Sequence, residues 1–314
     1  MKIDHLIEDE IVSLQAKILT LPEYFDVNYV RGEYKKYAKR IFSNPFDKKL
    51  VKYVCDSLQK KTPLSVIRIG DGEINLITYT YYKSTPLLNY QVAQQSISRR
   101  CHQFKANKIW LIILQDLMMN AVYQADIIGQ LGVWRPKQIN IDEFISKTAD
   151  HTRGFSGQWR SIDFMLFQAK NNIFKTKSIA SAHLYFSIIK FLAHILSNVE
   201  TVYLITNNTA IVKKLKKSYP NNQFFHINIQ ETPKPILNNE PDFLYSVFSC
   251  LPVEMKGTLT LVGAGIWAQI YCNWIKQKGG VAIDIGSGFD LMNGDLTRPI
   301  QRKMNPDLIQ DYIL

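Results

Sequence analysis

The chain has 314 residues, 46% of them hydrophobic, enough to bury one extended α/β domain or two modest ones. Lys and Arg total 38 against 27 Asp and Glu, and the formal net charge of +11 suits an anionic partner: a nucleotide diphosphate, a nucleic acid or an acidic membrane surface. Four scattered cysteines without a C-x-x-C pair, and no His/Cys cluster at zinc spacing, exclude a disulfide scaffold and a zinc module.

Met1 to Glu10 is polar and acidic, unlike a secretory signal, and the longest apolar run, Ile109 to Leu114, is too short for a bilayer. The expected location is the cytoplasm, with peripheral contact at the inner membrane face left open. The first sixty residues read as a helical extension. Glu8 to Ile18 and Lys48 to Leu58 carry apolar residues three and four apart, punctuated by Pro22 and Pro45.

From residue 61 to 314 the pattern is that of an α/β domain. Leu64 to Ile69 is a short apolar run between Pro63 and Gly70, the mark of a strand covered on both faces. Similar runs recur at Lys108–Ile113, Thr201–Ile205, Gln223–Ile227, Thr258–Val262 and Val281–Ile285, with a weaker one at Ser178–Ala182. Helical stretches separate most of them: Ile74–Tyr82, Gln91–Phe104, His183–Leu196, Ala210–Ser218, Leu244–Leu251 and Ile266–Gln277. Alternation of this kind predicts a mostly parallel, Rossmann-like sheet with helices on both faces. Gly132 to Gly157, with Trp134, His151 and Arg153, reads as a loop or lid.

Open parallel sheets bind ligands beyond the carboxyl ends of their strands, which singles out three places. The first is Arg68-Ile69-Gly70-Asp71-Gly72-Glu73. Gly70 and Gly72 allow a tight turn and a close ligand. Asp71 and Glu73, if the link stays extended, project to one side, and two hard oxygen ligands suit Mn²⁺ or Mg²⁺ bridging a diphosphate. The competing reading is that Asp71 caps the following helix and Glu73 complements its positive end. Arg68, inside a buried strand, needs an anionic partner, either a carboxylate or a ligand phosphate.

The second place is Val262-Gly263-Ala264-Gly265-Ile266-Trp267-Ala268, which satisfies G-x-G-x-x-A after a strand, with Asp284 at the spacing of a ribose contact. Too little chain follows Gly263 for a full dinucleotide domain. A nucleotide contact and simple close packing of strand on helix therefore both stay open. The third is Asp284-Ile285-Gly286-Ser287-Gly288-Phe289-Asp290, continuing to Arg298. Asp290 suits a general base or acceptor-orienting role and Arg298 a phosphate clamp, against a polar turn with an Asx cap. His183 opens a helix and is placed to line the cleft. The tyrosines Tyr79, Tyr81 and Tyr82 read as packing rather than a sugar platform.

With these residues in view, the sequence resembles the GT-D glycosyltransferases of bacterial surface-glycan and adhesin glycosylation. Arg68 to Glu73 is similar to that family's R-[FY]-G-D-G-E with its D-x-E motif. Val262-Gly263-Ala264-Gly265 and Asp284-Ile285-Gly286-Ser287, with Asp290 and Arg298 trailing, resemble its late glycine strand end and D-[IV]-G-S-x-x-D…R closing element. The resemblance spans about residues 60 to 300 in the family's order. It implies a GT-D-like catalytic domain moving a sugar from a nucleotide-sugar donor, a UDP-sugar above all, to the hydroxyl of a glycan, lipid-linked or protein acceptor. Asp71 and Glu73 would then hold metal or donor, and Arg68, Gly70, Gly72, Gly263, Gly265, Asp284, Gly286, Ser287, Asp290 and Arg298 would line one cleft. Two other classes remain: a nicotinamide- or S-adenosylmethionine-dependent enzyme using Gly263, Gly265, Ala268 and Asp284, and a non-catalytic polyanion-binding protein. No RNA-recognition signature is present, and nucleic acid is not an expected partner.

Overall fold

The computed structural model describes residues 41–42, 48–80, 86–98, 106–130, 161, 164, 177–229 and 242–314. The helix expected at Glu8–Ile18, the Gly132–Gly157 stretch with His151 and Arg153, and Tyr81 and Tyr82 lie outside the described residues.

The described strands are β1 Ile41–Phe42, β2 Leu64–Ile69, β3 Ile127–Gln130, β4 Ser178–Ser181, β5 Thr201–Thr206, β6 Gln223–Asn228, β7 Leu259–Gly263 and β8 Val281–Asp284. They form one sheet in the order β1-β4-β3-β2-β8-β7-β5-β6. Every pairing is parallel. From β2 the chain moves outward to β3 and β4, then builds the other flank with β5 and β6, and returns to the centre with β7 and β8. The last strand is thereby hydrogen-bonded to the first long one, Leu64 opposite Val281 and Val66 opposite Ile283. That return places the later two glycine-rich turns beside the earlier acidic one.

Strand side chains alternate between faces. Ile67, Ile69, Ile128, Ile205, Val262 and Ala282 pack in one cluster under α2 Asp71–Ile77, α3 Pro86–Ser98, α4 Lys108–Gln124, α8 Asp242–Cys250 and α9 Ala268–Gln277. Leu64, Val66, Leu204, Leu261 and Ile283 pack in another under α1 Lys48–Gln59, α5 Tyr185–Lys190, α6 Leu192–Leu196 and α7 Thr209–Ser218. Burial on both faces is why these strands are apolar throughout, each buried Ile or Leu contributing roughly 1.5–3 kcal/mol over exposure. Helix α1 belongs to this second layer through Leu50, Val54 and Leu58. No helix of the described residues is long and apolar enough to cross a membrane.

Two local expectations are overturned. Lys108–Ile113 is not a strand but the first turns of α4. The short apolar run is ambiguous by itself; the deciding signal is longer. Leu111, Leu114, Gln115, Met118, Ala121 and Val122 are buried at helical spacing, and Asn107 Oδ1 accepts from the Trp110 N–H at 2.9 Å. The strand between β2 and β4 is instead β3, Ile-Ile-Gly-Gln, which the apolar-run reading passed over because it is four residues long and contains a glycine. That glycine is a fitting requirement: a Cβ on Gly129 would lie 2.7 Å from Leu184 Cδ2 and 2.9 Å from the Ser181 carbonyl. The helix read as His183–Leu196 is broken at Phe191 into α5 and α6.

Candidate active site

Beyond the carboxyl ends of β2, β8 and β7 the three sequence places come together. The first and third meet most closely. Arg68, near the end of β2, donates through Nη2 to Asp284 Oδ1 at 3.1 Å and through Nη1 to the Ala182 carbonyl, just past β4, at 3.2 Å. Its guanidinium carbon stands 5.5 Å from the centre of the Tyr185 ring, in cation–π range. Asp284 is 1% exposed. Gln269, fully buried at the start of α9, reaches across with Nε2 to the Arg68 carbonyl at 2.5 Å and stands 3.4 Å from Asp284 Oδ2.

Gly286 completes the nest. Its φ is +44°, and a Cβ there would sit 1.8 Å from Arg68 Nη2. Only glycine lets the backbone turn in that sense and leaves room for the guanidinium. Arg68 Nε is buried and has no hydrogen-bond partner among the described residues.

Burial pushes the Asp284 carboxyl up to about 6, the Arg68 charge offsetting part of the rise and the Glu73 charge adding to it. Burial works against the Arg68 charge, yet Asp284 and then Glu73 outweigh it and hold that guanidinium above its ordinary value. The two carboxylates thus share one cation.

The link from Asp71 to Glu73 is helical, not extended. Helix α2 starts at Asp71 with Gly70 as its cap residue, and Glu73 Oε2 accepts from the Gly70 N–H at 3.0 Å. Two residues apart on a helix lie about 200° apart around its axis, so the same-side geometry of a strand does not apply. Glu73 takes a capping role at the Gly70 N–H, and Gly72 is buried within the turn. Both carboxylate residues are half-buried. Among the described residues no three of His, Cys, Asp and Glu form a ready-made metal cluster. By their chemistry Asp71 and Glu73 are nonetheless hard oxygen donors of the kind a divalent cation takes.

The remaining candidates divide. A Cβ on Gly263 would meet Phe289 Cδ2 at 2.4 Å, so this glycine serves close packing of β7 on α10 Gly288–Asn293. Gly265 has φ +58° and opens a short 3-10 turn, Gly265–Trp267, before α9. Ser287 is buried, and its carbonyl accepts from Gln301 Nε2 at 3.2 Å. Asp290 and Arg298 stand with the C-terminal segment: Asp290 Oδ2 accepts from the Thr297 hydroxyl at 2.9 Å, and the exposed Arg298 precedes α11 Pro299–Arg302 while its charge reaches Tyr185. His183 lies just past β4, edge-on to Tyr185 at 6.0 Å.

Gln269, Tyr185 and Gln301 were missed in the sequence. The available signal was a polar residue on the apolar side of a helical pattern; Gln269 and Gln301 are both 0% exposed. Asp284, offered in the sequence at the spacing of a ribose contact, is engaged within the protein. Its Oδ1 accepts from Arg68 and its Oδ2 stands 3.4 Å from Gln269 Nε2, on the side of the Gly263, Gly265 and Ala268 turn.

A doubly wound parallel sheet with a charged nest at the ends of its central strands is a Rossmann-like α/β architecture, which binds ligands beyond its strand ends. The family model described as a GT-D fold-like domain matches residues 47–292, and the chain belongs to this GT-D-like family. Membership supports a glycosyltransferase-like function in general. No curated protein and no solved structure matches the chain.

Proposed function

We propose that the chain transfers a sugar from a nucleoside-diphosphate donor, a UDP-sugar, to the hydroxyl of a glycan, lipid-linked or protein acceptor in the cytoplasm or at the inner membrane face. The observation that carries this reading is the Arg68 guanidinium, held by Asp284 and the Ala182 carbonyl at the carboxyl ends of β2, β8 and β4, with Nε lacking an acceptor among the described residues. A guanidinium fixed by a buried carboxylate is the group that recognises phosphate, and within this family the expected anion is the donor's diphosphate.

Asp71 and Glu73 would hold Mn²⁺ or Mg²⁺, which would neutralise charge on the departing nucleoside diphosphate. Glu73 binds the Gly70 N–H through Oε2, so Oε1 is its candidate ligand atom. Gly263, Gly265, Gly286 and Ser287 shape the backbone on the β8 and β7 side of the same cleft. Asp290 and Arg298, with the C-terminal segment, are proposed to face the donor phosphates or the acceptor.

The test is release of nucleoside diphosphate from a panel of donor sugars with and without Mn²⁺. Turnover that requires the cation and vanishes in Arg68→Met supports the reading. A folded protein that neither binds nor turns over any donor, with any divalent cation, overturns it.

A further inference from the structure

The C-terminal segment beyond residue 292 lies outside the family match, yet it reaches the floor of the site through one side chain. Gln301, on α11, is fully buried. Its Oε1 accepts from the Arg298 N–H at 2.9 Å. Its Nε2 donates to the Ser287 carbonyl at 3.2 Å and stands 3.5 Å from the Tyr185 hydroxyl, a longer polar contact. The segment is itself anchored. Tyr312 is buried with its ring 5.5 Å from that of Phe186, and the Leu314 N–H donates to the Met292 carbonyl at 3.0 Å.

A buried amide is a costly way to fill space, since a shape-matched apolar residue needs no partners. What the amide achieves is a link between two separate walls around Arg68. One wall is Tyr185, whose ring faces the guanidinium and whose hydroxyl stands 3.5 Å from Gln301 Nε2. The other is the turn at Gly286–Ser287, whose backbone abuts Arg68 Nη2. Gly288, the next residue, packs against Tyr185 from the same turn, where a Cβ would sit 3.3 Å from Tyr185 Cβ.

We propose that Gln301 is a positioning residue for anion recognition by Arg68: it locks the Tyr185 ring and the Gly286–Ser287 turn together, and through its bond to the Arg298 N–H it couples that lock to the C-terminal segment. The inference rests on the nucleotide reading for its ligand, while its structural half stands apart from that reading.

The experiment uses the full chain with Gln301→Met, which keeps volume and removes every polar contact, and Lys303→Ala as an exposed control on the same segment. UDP with Mn²⁺ is the titrant, and amide hydrogen exchange is followed over 284–290. Gln301→Met is expected to weaken UDP binding by about tenfold and to speed exchange at 284–290 while β5 and β6 keep their protection; Lys303→Ala changes neither. In a double-mutant cycle, Gln301→Met added to Tyr185→Leu is expected to cost little beyond Tyr185→Leu alone. Should wild type bind no UDP at all, the nucleotide reading fails separately, and faster exchange confined to 284–290 still supports the lock. Unchanged exchange in Gln301→Met, or additive effects with Tyr185→Leu, overturns the proposal.

Discussion

The Arg68 guanidinium occupies the space that a side chain on Gly286 would need: a Cβ there would lie 1.8 Å from Nη2, on a residue whose φ is +44°. Gly286→Ala therefore meets two obstacles, a left-handed backbone and a guanidinium pinned by Asp284. The expected loss is about 1–3 kcal/mol in stability from the backbone alone. Displacement of Arg68 adds a loss of nucleotide binding. Chemical denaturation and UDP titration measure the two, and an alanine variant with wild-type affinity would show that Arg68 tolerates being moved.

Asp284 makes stability depend on pH in a defined direction. Its folded value, about 6, lies above the ordinary 3.8, so between pH 4 and 6 the folded protein keeps a proton that the unfolded chain has released. Its contribution is complete below pH 4, falls as the pH rises to 6 and is level above. At about 1.36 kcal/mol per pH unit the change is at most about 3 kcal/mol. Relative to Asp284→Asn, wild type should lose stability across that window in urea unfolding. Parallel curves would mean the carboxyl titrates normally.

Glu73 has a structural bond and a proposed ligand role, and the two separate cleanly. Glu73→Gln retains a side-chain oxygen for the Gly70 N–H, so stability should change by less than about 1 kcal/mol. Cation-stimulated release of nucleoside diphosphate should fall at least about tenfold. Glu73→Ala should lose both. Full cation response in the glutamine variant would leave Glu73 as a helix cap alone.

Gly263 is explained by packing. Gly263→Ala drives a methyl into the Phe289 ring, 2.4 Å from Cδ2, and should cost about 1–3 kcal/mol as overpacking does. Gly263→Ala with Phe289→Leu should recover much of that stability. Failure of the double variant to recover, with nucleotide binding lost in both, would instead point to a ligand against the Gly263 backbone.

Much of the architecture was legible in local signals. Leu64–Ile69 and Thr201–Ile205 read as buried parallel strands because burial on two faces leaves no alternation to interrupt an apolar run. Lys108–Ile113 misled for the same reason in reverse: six apolar-rich residues look alike in a strand and in a buried helix, and only the spacing out to Val122 tells them apart. At the site, the acidic turn and both glycine turns were visible as residues, while the division of labour among them was not. The sequence offered Asp284 as a ligand contact, and the structure shows its carboxylate paired with Arg68; it left Gly263 open between nucleotide contact and close packing, and the structure shows Phe289 packed against it.

The amino-acid sequence by itself determined where strands end, where the backbone turns on glycine and in which order the acidic and glycine-rich turns occur, because propensity, burial pattern and backbone freedom act over a few neighbouring residues. Only the tertiary structure decided that the last strand enters beside β2, bringing Asp284 to Arg68 across 216 residues, and that Gln301 closes the nest from beyond the family-matched stretch. Strand order is set by which layers of helix and sheet pack together over the whole domain, and no periodicity within a single element records its neighbour.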